Sequence, residues 1–306
     1  MSRFHRNGPT FWLFLSPVLF AFAMVIVIPF VIGVYYSLTD WNATARAGQG
    51  LSFVGLSNFS GSFTDPSFIY SFIITTIYTV ANVIVINVVA IALAVAVTSR
   101  LKLRNVYRMG FFIPYLIGGL ILGYLWQFIF NNAIPAVGQG IGVLSRFGEA
   151  DNLILGKVPT AIMALVIVGS WQYAGYIMMI YVAAIEGVSE ELYEAARIDG
   201  ASEWQQFQKI TVPMIAQAFT ITMFLTLVNS FKQFDVNFSL TAGGPAVRFM
   251  GESIFGTELL AMNIYNTAFL GNDLAAGQAR AVIFFVVLVV FSLVQVTINK
   301  RKELEL

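Results

Sequence analysis

The chain has 306 residues, 58% of them hydrophobic and only 11% charged, with a formal net charge of +1. So little charge cannot cover a water-soluble globule of this size, and the near-neutral balance offers no basic footprint for nucleic acid. With no cysteine and one histidine, His5, disulfides, thiolate nucleophiles and His/Cys zinc sites are excluded, and no Asp/Glu cluster at ligand spacing suggests a carboxylate metal site.

A bilayer-spanning helix needs about 20 mostly apolar residues. Runs of that kind occur at 11–37, 69–98, 109–131, 158–185, 212–235 and 281–298, which predicts an all-α integral membrane protein with six transmembrane helices. The first run holds Pro17, Pro29 and Gly33, which membrane helices tolerate where neighbours satisfy the freed backbone groups. Ala21-Phe22-Ala23 has the small-x-small pattern of a signal cleavage site, but the apolar run continues well beyond an h-region, so an uncleaved first helix is expected.

Lys and Arg fall into alternating connections. Arg3 and Arg6, then Arg100, Lys102, Arg104 and Arg108, then Arg197 and Lys209, then Lys300, Arg301 and Lys302 mark one side of the membrane. The connections between them hold only Arg46, Arg146, Lys157 and Arg248, with Arg280 at the edge of the last span. Basic residues are retained inside, so both termini are expected in the cytoplasm, with the chain multi-pass in the membrane. No low-complexity tract, linker or internal repeat is visible, and residues 1–306 are taken as a single transmembrane domain. The long outer connection at 236–278 carries an apolar stretch within Glu252 to Gly271 too short to span, expected to form a helix lying at the outer surface or packed on the bundle.

The fourth connection, EGVSEELYEAARIDGASEWQQFQKITVP at 186–213, should be cytoplasmic and built as two short helices. Ser189 is an N-cap candidate with Glu190 and Glu191 in the first turn, Leu192, Ala195 and Ala196 make a narrow apolar face, and Gly200 is a left-handed stop. Ser202 and Gln205 then form an S-x-x-Q capping box for a second helix whose Trp204, Phe207 and Ile210 share a face, and Pro213 suits the first turn of the fifth span. Two exposed amphipathic helices between spans present a docking surface.

Glu194-Ala195-Ala196, three residues, Gly200, nine residues, Ile210, Val212 and Pro213 resemble the E-A-A-x3-G-x9-I-x-L-P loop of ABC importer permeases, with only Val212 departing from it. The resemblance implies a type I ABC importer permease fold with cytoplasmic coupling helices at 189–209, in which Glu194, Ala195, Ala196, Gly200, Ile210 and Pro213 serve ATPase coupling. Leu240 to Pro245, LTAGGP, with Ile264-Tyr265, Ala268-Phe269 and the Gly/Ala-rich entry to the last span, is similar to carbohydrate-uptake permeases of the maltose and glycerol-3-phosphate type. That family implies a second permease subunit, usually a different one, two ABC ATPase subunits that bind ATP and magnesium, an extracytoplasmic solute-binding protein, a sugar substrate and no cofactor on this chain.

Sugar recognition needs hydroxyl-matching polar groups and flat aromatic faces turned away from lipid. In the fifth span Thr222, Thr226, Asn229, Ser230, Gln233 and Asn237 recur at spacings of three and four, and in the fourth Trp171, Gln172, Tyr173 and Tyr176 interrupt an aliphatic run. Polar glue between helices and aromatic packing are the competing roles for these residues. Counting from the loop glutamate, the family resemblance places substrate contacts on Tyr173, Tyr176, Thr226, Asn229, Ser230 and Gln233. Lys232 at the outer end of the fifth span suits snorkelling to headgroups, and Asn82 and Asn87 in the second span suit interhelical hydrogen bonds. The chain has no phosphate-binding loop motif, so ATP hydrolysis is expected on another subunit and no catalytic residue is expected here. An ion-coupled transporter or channel is the alternative from another class, and it would need acidic residues mid-span that the sequence does not supply.

Overall fold

The computed structural model describes residues 8–42, 51–99, 102–138 and 153–300. His5 and the topology-marking Arg3, Arg6, Arg46, Arg100, Arg146, Arg301 and Lys302 lie outside them.

Backbone proximity divides the chain into two units, Met1–Thr64 with Ile264–Phe284, and Asp65–Asn263 with Phe285–Leu306. In the first, α1 (Gly8–Phe22), a π turn (Ala23–Val27) and α2 (Ile28–Ser37) form one apolar span, Phe11–Ser37. Pro29 cannot donate a backbone hydrogen bond, and the wider turn just before it accommodates the mismatch. No side chain from Phe11 to Tyr36 is buried, as expected of a helix whose solvent is lipid. Beyond it the short α3 (Ser57–Ser62) presents Asn58, whose amide donates to the carbonyls of Ser37 and Thr39, both at 2.8 Å. The Ser52 N–H donates to the Asp40 carboxylate at 2.7 Å, and this bond, with help from the Ser52 hydroxyl, holds the Asp40 carboxyl below its ordinary range.

The second unit is organised on two long helices, α4 (Pro66–Thr98) and α8 (Val158–Glu186). Asp65 caps α4 by accepting from the N–H groups of Ser67 and Phe68, and Pro66 fills the first position, where a missing N–H costs nothing. Small buried residues, Ala90 and Ala94 on α4 with Ala161, Ala164 and Ala174 on α8, keep helix surfaces low enough for close packing, the usual basis of helix association in lipid.

The third apolar run departs from its expected single helix over 109–131. Residues Arg104–Phe112 form a separate helix, α5, and a 3-10 turn at Ile113–Leu116 follows. The spanning helix runs instead over Gly119–Gly138, as α6 (Gly119–Phe128), a π turn and α7 (Ile134–Gly138). Pro114 and the extended backbone at Ile117 and Gly118 interrupt what hydropathy alone treats as continuous.

After α8 come α9 (Glu190–Ile198), α10 (Glu203–Gln206) with a π turn at Phe207–Thr211, α11 (Val212–Met214) and α12 (Ala216–Phe231). Glu203–Met214 and Ala216–Phe231 meet at 71° across Ile215, so the chain bends near the start of the fifth span, which was expected over 212–235. The outer connection holds α13 (Asp235–Leu240), a hairpin of β1 (Ala246–Phe249) and β2 (Glu252–Phe255), and α14 (Leu260–Tyr265). The helix expected from Glu252 therefore begins only at Leu260, because residues 252–255 pair with 246–249 as a strand. The final helix, α15 (Leu274–Lys300), starts earlier than the apolar run and contributes to both units. Among the described residues five helices are long and apolar enough to span, and the bent pair makes a sixth when counted as one span.

A candidate coupling loop and solute face

The loop between α8 and α12 is built from local signals. α9 closes in a Schellman arrangement, with the Ala201 N–H donating to the Ala196 carbonyl at 2.9 Å and the Gly200 N–H to the Arg197 carbonyl at 3.1 Å. Gly200 has φ +78°, a left-handed conformation that a side chain would strain. The capping box forms as expected, with the Gln205 N–H donating to the Ser202 Oγ at 3.3 Å and the Ser202 N–H to the Gln205 Oε1 at 2.8 Å. Ser189 stands at the N-cap of α9, but its side chain makes no capping bond.

The two short helices are tied together by Tyr193 and Thr211, whose hydroxyls are 2.9 Å apart, and by the Gln206 amide, which donates to the Ala201 carbonyl at 2.9 Å. Glu194, Ala195 and Gly200 are exposed, Ala196 is half-buried, and Ile210 and Pro213 are half-buried where the loop re-enters the bundle. Around them Ile198 is 87% exposed and Trp204 63%, with the Trp204 and Phe207 rings stacked at 5.5 Å. Large apolar groups left in the open beside carboxylates make a surface suited to a protein partner. At the root of the loop, the Glu186 carboxylate at the end of α8 pairs with the Arg108 guanidinium of α5, the one ion pair among the described residues.

Higher in the bundle the polar residues divide into two sets. Asn82 on α4 donates to the Ser230 hydroxyl at 2.8 Å and accepts from Ser170 at 3.1 Å. Asn87 donates to Thr226 at 3.0 Å and accepts from Tyr181 at 2.8 Å, and Tyr181 in turn accepts from Thr222 at 2.7 Å. This ladder joins α4, α8 and α12, so the interhelical role expected of both asparagines holds, and it engages Thr226 and Ser230, each buried. Gln172 donates to the Ile117 carbonyl at 3.0 Å, and Asn237 donates to the Thr257 carbonyl at 2.7 Å while accepting from Leu259 N–H at 3.0 Å.

The second set has no side-chain hydrogen bond among the described residues: Tyr173 and Tyr176 on α8, Asn229 on α12, and Gln233 in the turn that follows it. With them belongs Tyr115, which sequence reasoning missed. The 3-10 turn after α5 lays its ring on Tyr176 with centroids 4.5 Å apart and planes 11° from parallel, and edge-on to Tyr173 at 5.7 Å. The available signal was an aromatic directly after Pro114 in an otherwise apolar run. Tyr176 also lines an open apolar groove of about 520 Å³ that includes Phe112 and Met179 and reaches Arg108. Three tyrosines with free hydroxyls form a surface able to stack on a sugar ring and bind its hydroxyls.

Residues 86–304 match the model of the family described as binding-protein-dependent transport system inner membrane component. A probable starch degradation products transport system permease protein of Thermoanaerobacterium thermosulfurigenes is 43% identical, with 100% of this chain and 99% of the relative covered. An sn-glycerol-3-phosphate transport system permease protein of Agrobacterium fabrum is 32% identical over 81% of each chain. Among solved structures, a bacterial alginate ABC transporter in complex with alginate pentasaccharide-bound periplasmic protein superimposes with a TM-score of 0.79 over 97% of this chain and 96% of that one, at 19% identity. Fold, loop and relatives converge: this chain belongs to the binding-protein-dependent transport system inner membrane components, as a multi-pass permease with the type I ABC importer permease fold.

Proposed function

We propose that the chain is one of two membrane-spanning subunits of an ATP-driven importer that carries an oligosaccharide or related sugar, delivered by an extracytoplasmic binding protein, into the cytoplasm. The observation that carries the reading is the exposed helix–Gly200–helix loop between α8 and α12, which bears the Glu194-Ala195-Ala196 pattern. The starch-degradation-product permease supports the carbohydrate class. ATP and magnesium belong to two partner ATPase subunits, which dock on Glu194, Ala195, Ala196 and Gly200, while Ile210 and Pro213 anchor the loop to the bundle. The bias of Lys and Arg toward the connections on the loop side supports cytoplasmic termini.

In this mechanism, closure of the ATPase pair pushes the loop as one body, since Tyr193–Thr211 and the Schellman turn hold its halves together. The bundle then alternates between outward and inward access. Tyr173, Tyr176, Asn229 and Gln233 contact solute. Thr226 and Ser230 would do so only in a state where their bonds to Asn87 and Asn82 open.

Glu194→Lys and Gly200→Pro test the reading. Each should reduce retention of the ATPase subunits on membranes and abolish uptake, with the permease still present in the membrane. Normal docking and uptake in both variants would overturn it.

A further inference from the structure

Resting on the importer reading above, the short helix α5 gives the coupling loop a route to the tyrosine face that does not pass through α12. α5 and its 3-10 turn, residues 104–116, form a piece bounded by two breaks in the backbone. It is entered through Leu103 at φ +63°, a left-handed conformation unusual outside glycine, and left through the extended Ile117 and Gly118. Its position therefore depends on what it packs against, and two contacts fix it to α8. At the first, a Cβ on residue 175 would overlap the Phe111 carbonyl and stand 3.0 Å from the Phe112 nitrogen, so only glycine lets the α5 backbone lie directly on α8. Gly175 lies between Tyr173 and Tyr176 in sequence, and the turn that follows α5 lays the Tyr115 ring on Tyr176.

The second contact is at the loop end of α8. One nitrogen of Arg108, Nη2, donates both to the Glu186 carboxylate and to the Val97 carbonyl, the latter at 3.4 Å. Val97 lies in the last turn of α4 and Glu186 is the last residue of α8, so the cation sits where both helix dipoles are negative and carbonyls lack partners within their helix. Its side chain is 14% exposed. The two members of the pair open onto different cavities. Arg108 lines the groove that includes Tyr176, whereas Glu186 lines a cleft of about 540 Å³ between the loop and the helix ends, together with Tyr193 and Thr211. Those two hydroxyls tie the halves of the loop, so the ion pair joins the wall of the loop's cleft to the wall of the groove beside the tyrosines.

We propose that Arg108 is a positioning residue of the transport cycle: through Glu186 it yokes α5 to the root of the coupling loop, so that α5 carries the loop's displacement to Tyr115. Separating a charge pair this little exposed is costly, so a shift of Glu186 draws Arg108 with it. Phe111, seated on Gly175, lies between Arg108 and Tyr115 along the chain and serves as the pivot, so that movement on one side of it is returned on the other. The plain alternative is a pair that only keeps α5 on the bundle, which predicts lost stability with no loss of nucleotide-dependent movement.

The chain has no cysteine, so Leu116→Cys puts a single thiol on it beside Tyr115, at a position 69% exposed. The test is the maleimide labelling rate of that thiol in the complete transporter in nanodiscs, without nucleotide and trapped with ATP and vanadate. The two rates should differ by about fivefold or more. Arg108→Gln and Glu186→Gln should each bring them within about twofold while ATP hydrolysis continues, and Arg108→Lys, or the exchanged pair Arg108→Glu with Glu186→Arg, should restore the difference. A difference that survives in both glutamine variants overturns the assignment, whatever their thermal midpoints, and so does its loss in both the lysine variant and the exchanged pair. Equal rates in the starting protein overturn it too and leave the importer reading standing where the ATPase subunits remain bound, whereas failure of those subunits to bind the chain removes both readings together.

Discussion

Asn82 and Asn87 each use both ends of one amide, accepting from α8 and donating to α12. An interhelical hydrogen bond inside a membrane protein averages about 0.6 kcal/mol and reaches about 1.7, but removing a shared hub leaves two buried partners unsatisfied. Asn87→Leu should therefore lower stability by about 1–3 kcal/mol, read as a drop in the thermal midpoint of the detergent-solubilised protein. Asn229→Leu should behave oppositely, because its amide has no partner to lose among the described residues: the midpoint should stay within error while sugar uptake falls. A matching fall in stability for Asn229→Leu would place it with the structural set. At Asp40 the sign follows from a depressed pKa. The bond from Ser52 is fully present above the ordinary carboxyl value of 3.8 and is lost as pH falls through the lower folded-state value. Hydrogen exchange at the Ser52 amide should accelerate as pH is lowered below about 4, beyond the intrinsic trend, and Asp40→Asn should erase that step.

For the elements, legibility tracked the sequence distance over which the decisive contact acts. The turn at Gly200 and the Ser202–Gln205 box close within a few residues, so residue type alone placed them. The break after α5 was hidden because Pro114 sits in an apolar run and hydropathy registers no backbone interruption. Tyr115 owes its role to rings on α8, and residues 246–255 to pairing across a turn, neither of which helical periodicity can report. Thr226 and Ser230 had the right spacing for a polar face, yet that face meets Asn82 and Asn87 across the interface. The coupling loop offers a direct check on its local devices. Gly200→Ala forces a side chain into the left-handed region at about 1–2 kcal/mol, and Ser202→Ala removes the cap at about 1 kcal/mol. Both should speed proteolysis within 189–209 and leave the global thermal midpoint nearly unchanged; equal protection in all three proteins would show that the loop is held by other contacts.

On the scale of the whole molecule, the 71° bend at Ile215 turns a displacement of the loop along its own axis into a different direction along α12. A straight fifth span would transmit the same push end-on, whereas this bend redirects it as a lever does. The first span carries a different consequence. Its 27 residues, Phe11–Ser37, make a helix roughly 40 Å long, against a hydrocarbon core of about 30 Å. No side chain before Ser37 is buried, so leaning or bending is open to this helix as a way to hide its ends, and the π turn before Pro29 gives it a joint at which to do so. Hydrophobic mismatch thus becomes a variable of transport: uptake in vesicles of graded acyl-chain length should peak in thicker bilayers, and deleting the turn Leu19–Phe22 should move that peak to thinner ones. The membrane's thickness would then act on this subunit as a ligand does, without touching the solute face.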